Sequence, residues 1–393
     1  MRRLLNVEDW REAARRCLPR LVFDYVDGGA EDGVTMRANR DDFERIGLLP
    51  RVLRSTVDVS TSTEVFGRRW STPIAVAPMG LNALTRPHGD ILLAKAAAAH
   101  GVPFVLSTAS NARLEDVRAA APDADLWLQL YVLQDQSISE QLLRRAAASG
   151  YSTLVLTVDV PVSGLRERDL RNGFSLPFKV SPRLAVDFAL HPAWSVRQLL
   201  AGRPAFVNLV EHASGPMSAE AQAALLSRAM DQSLDWSRLS ALRKSWPGRI
   251  LLKGVLHPLD ARLALEHGVD GLIVSNHGGR QLDGAASSIA ALPGIVAEVQ
   301  GRIPVLLDGG IRRGVDVAKA MALGAAAVLV GRPLLYGLAV AGESGSLRVL
   351  AGLTEELKRC MTLLGAAKTP ELGDVQTAVQ TTVQTAPASR STR

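Results

Sequence analysis

A chain of 393 residues, 47% hydrophobic and 21% charged, can bury a large core, which excludes disorder over most of its length. The formal net charge is +6, but the cations are scattered, with no basic helix or finger spacing, which argues against a nucleic-acid partner. Cys17 and Cys360 lie near opposite ends without a CxxC pattern, so neither a disulfide framework nor a metal site is encoded.

The N-terminal stretch MRRLLNVEDWREAARRC starts basic but has no apolar signal core, and nowhere do eighteen apolar residues run uninterrupted. A cytoplasmic protein is therefore expected. Residues 7–21 read as one amphipathic helix with Trp10, Ala14, Cys17, Leu18 and Leu21 on one face. Residues 1–72 are expected to form a helical segment packed on the main domain.

From Pro73 a theme repeats in which a short apolar or β-branched run ends in small or polar residues and leads into an alanine-rich helical stretch. Eight such runs occur: PIAVAP, PFVLST, LWLQLY, TLVLTVD, ILLKGV, GLIVSN, PVLLDGG and AAVLVG. Continuous apolar runs suit parallel strands buried on both faces. Eight strand-then-helix units over residues 73–365 predict a (β/α)8 TIM barrel of the α/β class. A doubly wound sheet would show a glycine-rich first turn and a ribose-binding acid about twenty residues later, and neither is present.

One unit is irregular. After the fourth run lies an insertion, residues 176–216, in which Phe178, Phe188, Trp194 and Phe206 alternate with Lys179, Arg183, Arg197 and Arg203. It reads either as a lid or as a peripheral membrane patch, since aromatics interleaved with cations suit the headgroup boundary. Residues 366–393 read as a C-terminal tail, loosely ordered beyond Val375, where Gln, Thr, Ala and Ser predominate.

Polar residues collect where the runs end, on the rim where such barrels keep their sites. The strongest cluster is SNHGGRQLD, Ser275 to Asp283. His277 can take a proton near neutral pH, and Arg280 offers a planar fork to a carboxylate. The fourth run supplies Asp159, able to support an imidazolium, and seven residues on Arg166, a second guanidinium for the same carboxylate. Lys253 lies in an apolar strand and needs an anionic neighbour, either a bound group or Asp159 or Asp308. LLDGGIRRG and VLVGRP place Gly309, Gly310, Arg312, Gly331 and Arg332 as a phosphate site after the last two strands.

Together, Tyr25 and the motifs APMGLNA, STAS, LQLYV, TVDVPVSGLRERD, KGV, SNHGGRQLD, DGGIRRG and GRP resemble the FMN-dependent 2-hydroxy-acid dehydrogenase and oxidase family, over residues 7–365. GLRERDLRNGF and HPAW resemble its mandelate-oxidising branch most. The resemblance implies FMN as cofactor, a 2-hydroxy acid as substrate, and an electron acceptor that is a quinone, oxygen or a soluble carrier. It implies that Tyr25 and Tyr131 hydrogen-bond the substrate, that Asp159 supports His277 as base, and that Arg166 and Arg280 hold the carboxylate. Pro78, Met79, Gly80, Ser107, Gln129, Thr157, Lys253 and Ser275 are implied contacts of the flavin ring and ribityl chain. Asp308, Gly310, Arg312, Gly331 and Arg332 are implied for the ribityl tail and phosphate.

Small-substrate members carry Trp where this chain has Ala109, and Gly80 is likewise small, so an aromatic or bulky acid is expected over glycolate, with L-lactate or another aliphatic acid as the alternative. Met79 departs from the Thr common at its place. The family commonly assembles as a homotetramer. In membrane-bound members the insertion is the anchor, which would put residues 176–216 peripherally on the cytoplasmic face of the inner membrane. Two rivals are a phosphate-binding barrel of other chemistry and a catalytically silent barrel.

Overall fold

The computed structural model describes residues 4–175, 178, 181–202, 204–210 and 230–379. The eight apolar runs are the eight strands of one closed, parallel barrel: β1 (Ile74–Val76), β2 (Phe104–Leu106), β3 (Leu126–Leu130), β4 (Thr153–Thr157), β5 (Arg249–Val255), β6 (Gly271–Val274), β7 (Val305–Asp308) and β8 (Ala327–Val330). Pairing runs in sequence order and closes through β8 and β1, with Leu329 opposite Ala75. Closure excludes the doubly wound alternative.

Alternation along each strand divides the core in two. Ala75, Val105, Trp127, Val155, Leu251, Ile273, Leu306 and Leu329 fill the barrel interior, while Ile74, Leu128, Leu154, Leu252, Leu272 and Leu307 face the surrounding helices. The interior is plugged at one end by a hairpin, Thr63–Val65 with Arg68–Trp70, whose Trp70 ring lies 5.7 Å from that of Trp127. The N-terminal segment is thus not wholly helical. Two three-residue strands rich in charge carry no periodicity that a sequence reading could use.

The same segment covers the opposite rim with α1 (Val7–Cys17), α2 (Arg20–Asp27) and α3 (Val34–Arg45). The single helix expected over 7–21 is two, because Pro19 lacks the amide that would continue it and starts a new helix instead. Arg11 reaches across the break to Asp27, Nε to Oδ1 at 2.6 Å, and Tyr336 donates to the same carboxylate at 2.7 Å.

In the insertion, α4 (Pro182–Leu190) is capped by Ser181, and α5 (Pro192–Ala201) follows directly. Leu176, Pro177, Lys179, Val180, Arg203 and residues 211–216 of the expected segment lie outside the described residues. Its aromatics turn inward, so they are not what the insertion exposes. Phe178, Phe188 and Trp194 form a contact chain with centroid spacings of 5.9 and 5.2 Å, and Trp194 Nε1 donates to Leu84 O at 2.8 Å. Phe206 is buried as well. What α4 and α5 expose is aliphatic: Val186, Leu190, Val196, Leu199 and Leu200.

At the other end, α6 (Arg332–Ala341) and α7 (Glu343–Leu364) pack on each other and on α1. The chain past residue 366 is ordered through Val379, so the stretch beyond Val375 is not loose from its start. A 3₁₀ turn at Thr369–Asp374 buries Thr369 and Leu372, and Thr377–Val379 pairs antiparallel with Ile46–Leu48. Residues 380–393 lie outside the described residues.

Candidate active site

The loop after β6 carries the candidate residues His277 and Arg280, and the N-terminal helices fix its shape. Asn276 exchanges two amide hydrogen bonds of 2.8 Å with Asn39 of α3. Asp283 accepts from the backbone amides of Val34 and Thr35, at 3.0 and 2.8 Å, satisfying the first turn of α3 from a distant part of the chain. Ala30 N donates to Gly279 O at 2.8 Å. Within this frame His277, Gly278 and Gly279 all take left-handed φ, of 58°, 64° and 71°. Histidine pays a steric cost there. The loop accepts it, and the ring is thereby turned into the barrel mouth.

His277 Nδ1 lies 3.1 Å from Asp159 Oδ1, and Nε2 lies 3.2 Å from Tyr131 Oη. Burial works against the charge of Asp159, but His277 and Lys253 hold its carboxyl below the usual range. An ionised carboxylate only accepts, so Nδ1 carries a hydrogen toward Asp159, and Nε2 is the ring nitrogen that faces Tyr131 and the cavity. Space for Asp159 comes from Gly254, where β5 bulges at φ 106° and a Cβ would meet Asp159 Cβ at 2.6 Å. Tyr131 is pushed well above the usual phenol range by burial and by Asp159, so it remains a neutral donor.

Lys253 is buried, with Nζ 2.8 Å from Asp308 Oδ2 and 2.7 Å from Ser275 Oγ. Desolvation lowers its affinity for a proton, yet Asp308 and Asp159 raise it more, and the ammonium stays charged. Of the two neighbours expected from sequence, an internal carboxylate is therefore present.

Arg280 Nη1 donates to the carbonyls of Tyr25 and Gly28 at 2.8 and 3.0 Å, and its guanidinium lies 5.1 Å from the Tyr25 ring centre. Tyr25 in turn stacks on Phe174 at 4.7 Å. Burial and the like charge of Arg166 depress Arg280 below its usual value. Arg332 is pushed down to about 10 by burial, Arg280 and Arg312, while its Nε and Nη2 donate to Val26 O and Gly28 O. A group of guanidinium ions whose charges are this incompletely matched could receive an anion.

All these groups meet in one cavity of about 710 Å³ at the C-terminal mouth of the barrel, within the size range of small-ligand sites. Its wall includes every sequence-derived site residue except two. Asp159 stands behind His277, and Ser275 stands behind Lys253, where its Oγ also accepts from His277 N at 3.0 Å. Ser275 is therefore a support for the lysine and the histidine rather than a wall residue. Sequence reading missed Asp169, Phe174 and Gln281, which line the same cavity. Gln281 donates to Asp159 O and Val162 O and accepts from Gly164 N, tying the β4 loop to the β6 loop. The signal for Gln281 and Asp169 lay in their motifs, one residue after Arg280 and three after Arg166.

A model of FMN-dependent dehydrogenases matches residues 14–379. The chain belongs to that family. It is 47% identical over 362 residues to (S)-mandelate dehydrogenase of Pseudomonas putida, covering 92% of this chain and 91% of that protein. It is 46% identical to an L-lactate dehydrogenase of Caulobacter vibrioides, covering 92% and 94%. Among solved structures, a monotopic membrane protein (S)-mandelate dehydrogenase superposes with a TM-score of 0.92 at 45% identity, covering 95% of this chain and all of that one. A mandelate oxidase with (S)-4-hydroxymandelic acid superposes with 0.83 at 38% identity, covering 95% and 99%.

The family's cofactor is FMN, and the cavity fits it. Gln129 Nε2, Thr157 Oγ1 and Asp308 Oδ1 are buried polar atoms without a partner among the described residues, and all three residues line the wall. Two donors and an acceptor left open at such depth would each cost stability unless a polar ligand met them. A Cβ on Gly331 would come within 3.3 Å of Met79 Sδ, so the residue is small because the floor is narrow there. Gly310 is small for another reason: a Cβ would run into the backbone carbonyl of Asn39.

Proposed function

We propose that this enzyme oxidises an L-2-hydroxy acid with an aromatic or otherwise bulky side chain to the 2-keto acid. The observation that carries the reading is the convergence, in one cavity, of His277 Nε2, the phenol of Tyr131, and the guanidinium ions of Arg166 and Arg280. Arg166 and Arg280 hold the substrate carboxylate, and Tyr25 and Tyr131 orient it by their hydroxyls. His277 Nε2 accepts the proton that leaves the substrate, and Asp159 stabilises the resulting imidazolium. FMN supplies the two-electron acceptor. Pro78 to Gly80, Ser107, Gln129, Thr157 and Lys253 would hold its ring, with Lys253 balancing negative charge there. Asp308 to Gly310, Arg312, Gly331 and Arg332 would hold its ribityl phosphate.

Side-chain preference follows from room. Gly80 and Ala109 are packed so closely that a Cβ on the first would meet Cβ of the second at 2.9 Å, and as small members of the cavity wall they leave its space open. Leu165, Leu170, Phe174, Phe206 and Met230 give the same space an apolar wall. The likeness to L-lactate dehydrogenases at 43% and 46% identity favours a small aliphatic acid as the second reading. Anaerobic flavin reduction with mandelate, phenyllactate, lactate and glycolate separates them. The aromatic acids should reduce the flavin fastest, and Ala109→Trp should abolish that advantage. Faster reduction by lactate in the native enzyme would decide for the aliphatic reading.

The aliphatic face of α4 and α5 fits a lipid surface, with exposed Arg183 beside it. Contact there would make a membrane quinone the acceptor. Among the described residues no helix is long and apolar enough to cross a membrane. A homotetramer is consistent with Val52, Leu53 and Val57, which stand almost fully exposed on one loop.

A further inference from the structure

One carboxylate inside the cavity has no part in the mechanism above. Asp169, on the short helix Glu167–Arg171, is 9% exposed and lines the same wall as Arg166 and Arg280. Its nearest cation is Arg166, whose Nε lies 3.9 Å from Oδ2. Its side chain receives no hydrogen bond among the described residues, unlike Asp159, which His277 serves directly.

The charges facing it can be enumerated. Arg166 lies on its own segment, Arg280 on the β6 loop, and Asp24 on α2. Burial raises its proton affinity, Arg280 and Arg166 lower it, and Asp24 raises it again, leaving the carboxyl above its usual range. Asp24 is itself engaged, accepting from Asn172 Nδ2 at 2.7 Å. Arg166 and Arg280 are thus matched by two carboxylates, Asp169 and Asp24, so a further anion entering the group leaves one negative charge in excess. A substrate carboxylate would therefore share two arginines with a second anion in a desolvated site, a situation in which one of the two carboxyls takes a proton.

We propose that Asp169 is the resident counter-ion of the Arg166–Arg280 pair and binds a proton from solvent when the substrate carboxylate enters. The inference rests on the reading of that pair as the carboxylate site. In the free enzyme Asp169 offsets the like charges of half-buried Arg166 and of Arg280. In the complex it becomes a neutral acid, and no bond to substrate is made or broken by the transfer. The sign follows directly: a carboxyl whose proton affinity rises on binding takes up a proton, so affinity for the acid increases as pH falls.

The test uses the FMN-loaded enzyme titrated with phenylglyoxylate, the unreactive keto acid, and with its uncharged amide, followed by flavin difference spectra and calorimetry. In native enzyme, acid binding should strengthen as pH falls between about 9 and 5, with net proton uptake in buffers of differing ionisation heat, and amide binding should be flat. Asp169→Asn should bind the acid about three- to tenfold more tightly at neutral pH and lose most of the pH slope. His277 also faces the anion, so uptake should persist in His277→Asn. Uptake that vanishes in His277→Asn but survives in Asp169→Asn overturns the proposal, as does zero uptake by the native enzyme, which needs no variant to fold. Arg280→Met should weaken the acid and spare the amide. Unchanged acid binding in that variant would instead remove the carboxylate site on which the inference rests.

Discussion

At His277 the backbone holds a strained φ of 58° so that one imidazole can stand between a buried carboxylate and the cavity. Its role separates cleanly from its packing. Asn in its place keeps an amide donor for Asp159 and much of the volume but has no basic nitrogen. His277→Asn should retain FMN and lose about 10²- to 10⁴-fold in the rate of flavin reduction by substrate, read by rapid mixing without oxygen. A native rate would end the assignment of the base. At this scale the sequence was informative where residue type and position were both unusual. A His and an Arg on a glycine-rich strand end have few structural uses, so His277 and Arg280 stood out. Asp169 did not, because an Asp three residues after an Arg is the common pattern of an exposed helical pair, and only its burial in the cavity gives it another meaning.

The elements that position these residues come from both ends of the chain. The β6 loop has no regular hydrogen bonding of its own, and its shape depends on α3 through Asn39 and through the carboxylate of Asp283 on the first turn of that helix. Removing the cap should act on helix and loop together. Asp283→Ala should cost about 1 kcal/mol of stability, seen as a lower melting temperature, and should weaken substrate binding although the side chain is no part of the cavity wall. A lowered melting temperature with unaltered substrate affinity would mean that α3 and the loop are not coupled. Strand positions were legible because double burial leaves an uninterrupted apolar run, as in LWLQL or GLIV. The plugging hairpin was not, since Thr63–Val65 and Arg68–Trp70 each offer three residues with only Val65 and Trp70 turned inward. The break at Pro19 is legible in principle, since proline is the residue that most reliably ends one helix and begins another, but the apolar face that continues across it masks it.

Across the whole molecule, the order of the strands and the closure of the barrel follow from eight like units, but the orientation of the insertion does not follow from its composition. Its aromatic residues suggested a surface for lipid, whereas Phe178, Phe188 and Trp194 run inward and continue through Phe174 to Tyr25, beside Arg280. Aromatic and aliphatic side chains satisfy an apolar environment equally in sequence, and only the fold decides which of them meets solvent. The exposed set is Val186, Leu190, Val196, Leu199 and Leu200, and full burial of each leucine in hydrocarbon is worth about 1.5 to 3 kcal/mol. Two charges placed at its most exposed positions should therefore outweigh the attraction of a few basic residues for anionic lipid. The variant Leu199→Asp with Leu200→Asp should leave vesicles containing phosphatidylglycerol for the supernatant on centrifugation, while turnover with a soluble dye as acceptor stays native. Equal sedimentation of both proteins would show that this face does not hold the membrane, and loss of dye turnover would show that it serves the catalytic fold.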